Sequence, residues 1–443
     1  MNIVVRNFFT VLFIALLGSQ IVISTIEAKQ TTTEKEGLPL DELRIFTEVF
    51  SKIKNDYVEP VDDRQLLEDA IRGMLEGLDP HSSYLDKEAY QELQEGTTGE
   101  FGGLGIEVGL EDGFVKVIAP IDDTPAQKAG IQSGDLIIRI DDTPVKGMSL
   151  NDAVTRMRGK PGTNIDLTIV RDGIEKPFKI TLQRDIIKIK SVKHKTLEPG
   201  YGYLRISNFQ SNTSQELNKQ LDKLKEDNNN NLKGLIIDLR NNPGGILNAA
   251  VDVADTFLDK GLIVYTEGRI QDSQLKFNAK PGDALKNIPI VVMVNEGSAS
   301  ASEIVAGALQ DHNRAIIIGE QTFGKGSVQT ILPMNNEAAV KLTTARYYTP
   351  SGRSIQASGI KPDILIDKVK LTSVESEFDN TVKEINLSGH LENEQDMSGT
   401  EAEPEINNED EAEIQEEIPL SVSDYDLYEA LNILKALVIS KSQ

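Results

Sequence analysis

The chain has 443 residues, and its 70 acidic against 46 basic residues give a formal net charge of −24 at pH 7. A chain of this length is expected to form two or three domains. The negative charge argues against a nucleic-acid partner, because phosphates would be repelled. The chain contains no cysteine and no His-Glu-x-x-His pattern, so it predicts no disulfide, no metal and no cofactor.

Residues 1–28 have the pattern of an export signal. Arg6 is followed by no charged residue until Glu27, and residues 8–17 are strongly apolar. The uncharged stretch is also long enough to span a bilayer, although polar residues such as Ser19 weaken a permanent anchor. We therefore expect a cleaved signal peptide, with an uncleaved anchor in the inner membrane as the alternative. Either places the body of the protein in the periplasm or another extracytoplasmic compartment.

Residues 29–95 are predicted to form an N-terminal helical region. Pro60 and Pro80 interrupt two stretches in which apolar residues recur at helical spacing. The apolar positions are Leu40, Leu43, Phe46, Val49 and Phe50, then Leu66, Ala70, Ile71 and Leu75. We interpret the region as a small cap or a dimerisation unit.

Residues 96–185 predict a small domain of strands and short helices. It opens on the glycine-rich stretch 101–105, which leads into an alternating strand. A one-turn helix at 124–130 and a helical apolar stripe at 150–157 follow. Two further alternating strands flank Asp172-Gly173, which is the strongest short signal for a tight hairpin turn.

This succession of elements resembles a PDZ domain. The resemblance implies a groove between the strand after Gly105 and the helix at 150–157, where a peptide C-terminus would add as a strand. Arg158, at the end of that helix, is a dipole partner or a side chain that touches the bound peptide and reports its presence. The peptide carboxylate would accept hydrogen bonds from the main-chain N–H groups of Gly103, Leu104, Gly105 and Ile106.

Residues 186–368 predict an α/β domain in which strands alternate with helices, as parallel crossover connections require. The turn after the second strand carries Gly244 and Gly245, so it is able to aim a main-chain N–H group at an oxyanion. The predicted strands are 203–206, 235–239, 290–294, 315–319 and 340–343. The predicted helices are 214–225, 248–258 and 301–310.

A serine lies where the strand at 290–294 gives way to the helix at 301–310. The turn holds Ser298, Ser300 and Ser302, and spacing alone does not rank them. A hydroxyl there is held rigidly, and the helix start offers free N–H groups to an oxyanion. The same small residues would also serve simple close packing of the strand against the helix.

Lys325 is a candidate base for such a serine. It stands between two glycines after the strand at 315–319, and a desolvated lysine is able to take a proton. A solvated cation on a flexible loop is the alternative interpretation. Histidine is the competing base, but His312 is expected past the end of the helix, about 15 Å from the serine. A Ser-His-Asp triad is therefore disfavoured; the other histidines are His81, His194 and His390.

Four motifs together resemble the tail-specific, or C-terminal processing, serine peptidases. They lie at 238–245, 298–303, 323–329 and 343–352, and the resemblance runs from about residue 40 to residue 367. It implies a crotonase-like (ClpP/crotonase) α/β protease core that carries an inserted PDZ domain, with helical N- and C-terminal extensions. The expected activity is that of a serine endopeptidase that cleaves polypeptides near or from their C-terminus.

The resemblance also assigns roles to residues. It selects Ser300 as the nucleophile, Lys325 as the general base and Gln329 as the residue that orients the lysine. It matches Gly245 and Ala301 to the N–H donors of the oxyanion hole. A non-catalytic PDZ adaptor and an esterase or amidase of small substrates are the competing functions.

The last segments are less informative. Residues 369–418 predict an acidic disordered linker, because 392–417 holds many acidic residues and no basic one. A docking tail is the alternative. Residues 419–443 predict an amphipathic helix that packs on another helix, in the same chain or across a dimer. The expected partners are unfolded or tail-exposing polypeptides, an adaptor or lipoprotein activator, and a second copy of the chain in a homodimer.

Overall fold

The computed structural model describes residues 38–121, 123–286, 288–369 and 419–442. The predicted export signal lies outside these residues, and so does the predicted acidic linker except for residue 369. None of the helices in these ranges combines the length and the hydrophobicity that a membrane span requires. The chain divides into two compact units, Met1–Gly73 and Met74–Gln443.

The described part of the first unit is helical. Helix α1 spans Leu40–Asp56, and helix α2 spans Asp63–Glu76, which ends at the start of the second unit. No residue of α1 is buried, and apolar side chains such as Leu40 and Val49 are exposed. The predicted helical spacing is confirmed for both helices. The role as a cap or dimerisation unit stays a prediction.

The expected helical region is interrupted after α2, near the predicted break at Pro80, by a short strand that the sequence did not predict. Asp79 accepts hydrogen bonds from the main-chain N–H groups of His81 and Ser82, at 2.8 and 3.1 Å, and so turns the chain. Strand β1 (Ser83–Leu85) follows and pairs with residues 339–341. Helix α3 (Lys87–Thr98) then begins after Asp86, whose carboxylate accepts a hydrogen bond from the Ala89 N–H.

The next segment is an antiparallel sheet with two short helices, as the PDZ resemblance predicts. Strand β2 (Glu100–Gly103) pairs antiparallel with β9 (Asp185–Lys188), so the two ends of this inserted domain lie side by side. The sheet order is β3-β4-β5-β7-β8, with β6 beside β5. The elements are β3 (Ile106–Glu111), β4 (Phe114–Pro120), α4 (Pro125–Lys128), β5 (Leu136–Ile140), β6 (Thr143–Pro144), α5 (Leu150–Met157), β7 (Asn164–Val170) and β8 (Phe178–Gln183).

The hairpin predicted at Asp172-Gly173 exists, but its turn is not tight. The last cross-strand pair is Ile169 with Phe178, so a longer loop joins β7 to β8. Arg171 explains the difference. Its guanidinium donates hydrogen bonds of 2.6 and 2.7 Å to the buried Asp135, which holds the start of the loop beside the start of β5.

The core domain is built on a six-stranded sheet in the order β10-β11-β12-β15-β16-β19. All neighbours are parallel except β10 and β11, and three helices cover one face of the sheet. The strands are β10 (Val192–Glu198), β11 (Tyr201–Ile206), β12 (Gly234–Asp238), β15 (Ile290–Val294), β16 (Ile316–Gly319) and β19 (Ile364–Leu365). The three helices are α6 (Thr213–Asp227), α7 (Leu247–Asp255) and α8 (Ala301–Asp311).

The other face of this sheet is covered by the C-terminal segment, α9 (Leu420–Ser423) and α10 (Tyr425–Ser442). Side chains of α10, including Leu431 and Leu434, pack on Ile236 and Val291 of the central strands. The predicted helix is confirmed, but it packs on the sheet of its own chain rather than on another helix. The central strands are buried at every position and mostly apolar, so the sheet presents an apolar surface on both faces.

A second, antiparallel sheet lies beside the first. The predicted strand at 340–343 is part of a longer one, β18 (Ala339–Tyr348), and it does not continue the parallel sheet. It pairs with β1, β13 and β17. The remaining elements are β13 (Leu262–Gly268), a 3₁₀ turn (Gln271–Ser273), β14 (Lys276–Asn278) and β17 (Ser327–Pro333).

Candidate active site

Three loops meet beyond the carboxyl ends of β12, β15 and β16 and surround one cavity of about 530 Å³. This edge is where parallel α/β sheets bind their ligands. The cavity brings together all five residues that the sequence predicts for the reaction centre. They are Ser300, Lys325, Gln329, Gly245 and Ala301.

Ser300 immediately precedes α8 and has a backbone φ of 55° and ψ of −110°. A residue with a Cβ rarely adopts a positive φ, so this conformation is strained and must be held by its surroundings. Ser298 and Ser302 are fully buried, and their hydroxyls donate to the main-chain carbonyls of Leu239 and Asn242, at 2.8 and 2.9 Å. Of the three serines, Ser300 alone lines the cavity.

Two N–H groups beside Ser300 are available to an oxyanion. Ala301 is the first residue of α8, so its N–H has no partner within the helix. Within the described residues, neither Ala301 N nor Gly245 N donates a hydrogen bond. Gly244 brings the two loops together, because a Cβ there would lie 2.8 Å from the Ser300 Cβ and 3.0 Å from Ala301 N. Its φ of 103° also favours glycine.

The buried carboxylate of Glu303 connects the serine turn with the lysine loop. One oxygen accepts from Ser300 N and Lys325 N, at 2.7 and 2.9 Å. The other accepts from the Thr322 hydroxyl and Gly324 N, at 2.6 and 2.7 Å. Burial raises the pKa of Glu303, and these four hydrogen bonds act in the opposite direction. The sequence analysis missed this residue, although Ser300 followed by Glu303 has the spacing of a capping box.

Lys325 is half-buried and has charged neighbours of both signs, namely Lys341 and the carboxylates of Asp79 and Glu303. Burial lowers the pKa of Lys325 below its usual value, and the nearby Lys341 lowers it further, while Asp79 and Glu303 act in the opposite direction. Within the described residues, Lys325 Nζ makes neither a hydrogen bond nor an ion pair. The conditions that favour a neutral amine are therefore present.

Gln329 lies on β17 next to an irregularity in the pairing with β18. Its side-chain Nε2 donates to the hydroxyls of Ser327 and Thr343, at 2.9 and 3.3 Å. The carbonyl oxygen of this amide accepts no hydrogen bond from a described residue. That acceptor is the group with which Gln329 would orient a lysine amine, and the predicted contact to Lys325 is not made in this structure.

His81 is a further titratable group near the base. The positive charge of Lys325 contributes to lowering the pKa of His81, after burial, which is the largest cause. Long-range pairing of β1 with β18 brings the two residues together, so no local pattern predicts it. His312 ends α8, as expected, and its Nε2 lies 2.7 Å from the Leu262 carbonyl oxygen, away from the cavity.

The inserted domain has an open strand edge where the sequence predicts a peptide groove. Among the described strands, β3 pairs only with β4, which leaves its other edge open towards α5. Within the described residues, the N–H groups of Leu104 and Gly105 donate no hydrogen bond. Gly103, Leu104, Gly105, Ile106 and Arg158 line a pocket with Phe101, Val108, Val154 and Met157. The geometry therefore leaves room and donors for a carboxylate.

Arg158 links this groove to α3. Its guanidinium donates a hydrogen bond of 2.8 Å to Glu95 and lies over the ring of Phe101, 4.9 Å from the ring centre. Helix α3 also lines the cavity that contains Ser300, through Leu93 and Thr97. One helix therefore contacts both the peptide groove and the reaction centre.

Comparisons with known proteins agree with this architecture. Among the described residues there is no cluster of side chains that could hold a metal ion. A model described as Peptidase family S41 matches residues 200–366, and one described as PDZ domain matches residues 102–182. A carboxy-terminal-processing protease of Bartonella bacilliformis is 49% identical over 372 residues, 84% of this chain and 85% of that protein. The chain belongs to the carboxy-terminal processing proteases of peptidase family S41.

More distant members are also similar to this protease. A carboxyl-terminal-processing protease of Synechocystis is 37% identical over 388 residues, 84% of this chain and 90% of that protein. A model described as Activating protease CtpB N-terminal domain matches residues 8–89. Among solved structures, the photosystem II D1 C-terminal processing protease is 33% identical and covers 74% of this chain and 93% of that chain, with a TM-score of 0.43.

The predicted family and fold class are thereby confirmed. This protease has the S41 peptidase fold with an inserted PDZ domain and helical segments at both ends. Its class of activity, carboxy-terminal processing by a serine peptidase, follows from the family. The domain boundaries and the roles of individual residues stay predictions.

Proposed function

We propose that this protease is an exported endopeptidase that cleaves polypeptides near their C-terminus through a Ser300–Lys325 dyad. The observation that carries the proposal is one cavity that contains both a serine with a strained backbone and a half-buried lysine whose pKa is lowered. Two main-chain N–H groups that donate no hydrogen bond to a described residue line the same cavity. A serine needs a base to become a nucleophile, and a neutral lysine supplies one without a histidine.

The chemistry takes two steps. Neutral Lys325 takes the proton of the Ser300 hydroxyl as its oxygen attacks the peptide carbonyl carbon. The N–H groups of Gly245 and Ala301 donate to the carbonyl oxygen as it becomes an oxyanion. Lys325 then gives its proton to the leaving amine, and the C–N bond breaks. Water, deprotonated by the same lysine, hydrolyses the resulting ester of Ser300.

The reaction requires the Lys325 amine and the Ser300 oxygen to come within hydrogen-bonding distance of about 3 Å. In this structure Lys325 Nζ donates no hydrogen bond to a described group, so the amine is not engaged elsewhere. The free carbonyl oxygen of Gln329 is able to accept from that amine without adding a negative charge. A carboxylate at this position would instead hold the proton on the lysine.

The PDZ domain would select the substrate. An extended peptide would pair with the open edge of β3, and its terminal carboxylate would accept from the unpaired N–H groups of Leu104 and Gly105. The ion pair of Arg158 with Glu95 then lies where the bound tail would touch it, on the helix that reaches the reaction centre. Polypeptides that are unfolded or expose their tails are therefore the proposed substrates.

Export and assembly complete the proposal. The pattern of residues 1–28 supports a location in the periplasm or another extracytoplasmic compartment, with the inner-membrane anchor as the alternative form. A homodimer is supported by the exposed apolar side chains of α1, such as Phe46. An adaptor or lipoprotein is proposed as activator. The intact mass of the protein after cell fractionation distinguishes cleavage after Ala28 from a retained anchor.

The decisive experiment uses an unfolded polypeptide with an apolar C-terminal tail. We expect Ser300→Ala and Lys325→Ala to abolish or nearly abolish its cleavage while circular dichroism shows an intact fold. Lys361→Ala, which removes an exposed lysine outside the cavity, is the matched control. Full activity of Lys325→Ala would refute the dyad. Amidation of the tail should slow cleavage by the wild type, and indifference to amidation would remove the PDZ groove from the mechanism.

A further inference from the structure

Tyr347 is a buried residue whose hydroxyl has no assigned role. Its side chain is 2% exposed, and it lines the cavity together with Ser300 and Lys325. Its main-chain N–H donates to the carbonyl of Gly326, the residue after the lysine, at 2.9 Å. The tyrosine is therefore attached to the loop that carries the base, and it belongs to the same buried apolar cluster as Ala301 and Ile304.

The hydroxyl of Tyr347 is one of few buried polar atoms in the described residues that make no hydrogen bond. Buried tyrosine hydroxyls normally have a partner, because an unpaired buried donor is costly. A phenylalanine at this position would fill the same core without that cost. An unpaired hydroxyl beside a reaction centre therefore indicates a partner that forms during the reaction.

The position of Tyr347 identifies the partner, because Tyr347 and Ser300 line the same cavity. Burial raises the pKa of Tyr347 well above its usual value and the Glu303 carboxylate adds to the rise, whereas hydrogen-bonding proximity to the Ser300 side chain lowers it. The two side chains are therefore close, although they do not meet the geometry of a full hydrogen bond in the resting protein. The phenol thus keeps its proton at any working pH and remains a donor. The Ser300 oxygen is the acceptor beside it.

We propose that the Tyr347 hydroxyl donates a hydrogen bond to the Ser300 oxygen when Lys325 withdraws the serine proton. A serine hydroxyl has one proton and two lone pairs. With Tyr347 occupying a lone pair, the serine proton points to the lysine amine, and the remaining lone pair faces the substrate carbonyl. Tyr347 transfers no proton. It orients the nucleophile and stabilises the negative charge that develops on its oxygen.

The inference rests on the proposed dyad, and one assay separates the two. A small fluorophosphonate forms a covalent bond to an activated serine oxygen, with loss of fluoride, and does not need the PDZ domain. The rate at which the full-length protein is labelled is measured at saturating and at limiting concentrations of the probe. Wild type should be labelled and Ser300→Ala should not; labelling of Ser300→Ala at the wild-type rate would overturn the proposed function itself.

Tyr347→Phe tests the inference. We expect its maximal labelling rate to fall on the order of 100-fold, which is the loss typical of removing one hydrogen-bond donor to a developing charge. The probe concentration that gives half of the maximal rate should not change. Because the deleted hydroxyl has no partner in the resting protein, the melting temperature should not fall. Tyr348→Phe is the matched control. Its ring is on the same strand but stacks on Tyr265 at 5.1 Å, outside the cavity.

A conservative variant protects the test against loss of packing. Site-specific 3-fluorotyrosine at position 347 keeps the hydroxyl and the bulk, and it should label at the wild-type rate or faster. Wild-type labelling by Tyr347→Phe would overturn the inference. It would also be overturned if 3-fluorotyrosine were as slow as phenylalanine, or if Tyr347→Phe lost rate only in proportion to lost folded protein.

Discussion

Arg240 forms a two-pronged ion pair with Asp424, in which two guanidinium nitrogens donate hydrogen bonds of 2.8 Å to the two carboxylate oxygens. Arg240 follows β12 and also donates to the fully buried Asp238 at 2.8 Å. Asp424 immediately precedes α10. The C-terminal segment is thereby attached to the start of the loop that ends in Gly244 and Gly245, two glycines beside the nucleophile.

Asp424→Asn should weaken this attachment. Burial alone would raise the pKa of Asp424, but its hydrogen bonds with Arg240 hold the pKa below its usual value. The carboxylate therefore contributes stability above the unfolded-state pKa of about 3.9, and this contribution is lost as pH falls through the folded-state value. We expect the free energy of unfolding to fall by about 1–3 kcal/mol at pH 7, with little difference from wild type at about pH 2.

Asp426→Asn is the control for that measurement, because Asp426 reaches Arg240 only at 3.5 Å and is more exposed. Denaturant melts should show a smaller loss for this variant. Equal losses would mean that the two-pronged geometry contributes nothing beyond general charge attraction.

Glu303→Gln should misplace both catalytic loops. An amide NH₂ in place of one carboxylate oxygen would face either the N–H groups of Ser300 and Lys325 or that of Gly324, so one or two main-chain hydrogen bonds are lost. Because displacements of about 1 Å in an active site cost on the order of 100-fold, we expect a loss of that size in kcat/KM. Glu296→Gln, an exposed carboxylate on the same turn, is the control and should retain wild-type kcat/KM. Retention of full activity by Glu303→Gln would contradict the connecting role.

The pH profile should follow Lys325. Cleavage needs the neutral amine, so kcat/KM should rise with pH through the Lys325 pKa, which burial places below the value of about 10.4 for free lysine. A profile whose rise begins only near the free-lysine value would contradict a lowered pKa. Substrates with the same tail but different scissile residues should show the same rising limb.

Lys325→Met should stabilise the fold for the same reason. The folded protein binds this proton less tightly than the unfolded chain does, so the protonated lysine costs stability at neutral pH. We expect a higher melting temperature than wild type at pH 7, and a gain that shrinks as pH rises towards about 10.4. Lys361→Met, at an exposed site, serves as the control in melts across this range.

Gly244→Ala should damage the oxyanion site. Its new methyl group would meet the Ser300 Cβ at 2.8 Å and would be forced into a backbone φ of 103°. We expect a loss of kcat of at least about 10-fold with a lower melting temperature. Gly113→Ala has a similar φ of 79° but open space around it, so it separates backbone strain from the clash. An equal effect of both variants on kcat would contradict the clash.

Arg158→Ala should uncouple tail recognition from cleavage. The variant removes the ion pair with Glu95, while the groove glycines remain. We expect kcat/KM to become less sensitive to amidation of the substrate tail, without a change in fluorophosphonate labelling. The control is Arg156→Ala on the exposed side of α5. If the ratio of kcat/KM for free and amidated tails is the same in Arg158→Ala as in wild type, the arginine does not couple tail binding to cleavage.

The sequence was most informative where function depends on short segments. The strand at Ile290–Val294 and the start of α8 at Ala301 lie where the apolar run and small-residue turn predict them. The same holds for the helix at Leu150–Met157 and the open strand after Gly105. In each case the pattern and the contacts that satisfy it lie within a few residues of each other.

Contacts between distant segments were not predictable in this way. Strand β1 has three residues and exists because β18 pairs with it, and this pairing brings His81 near Lys325. The local sequence predicts only that Tyr347 lies in a strand, and it does not show which distant residues surround the side chain. The loop after β7 at Gly173 is longer than predicted, and Arg171 at its start binds the buried carboxylate of Asp135, 36 residues earlier in the chain. Long-range partners decide such positions, and one sequence does not contain them.

The helix that follows the nucleophile and the strand that follows the base differ in how deeply they are buried. Nine successive residues of α8, from Ala301 to Leu309, are buried, whereas β17, which begins two residues after Lys325, pairs with β18 alone among the described strands and ends in exposed residues. Any transition between idle and working enzyme would therefore be a movement of the lysine towards a stationary serine. In hydrogen-exchange experiments the amides of β17 should open first, and a ligand that locks the dyad should slow them while leaving α8 unchanged.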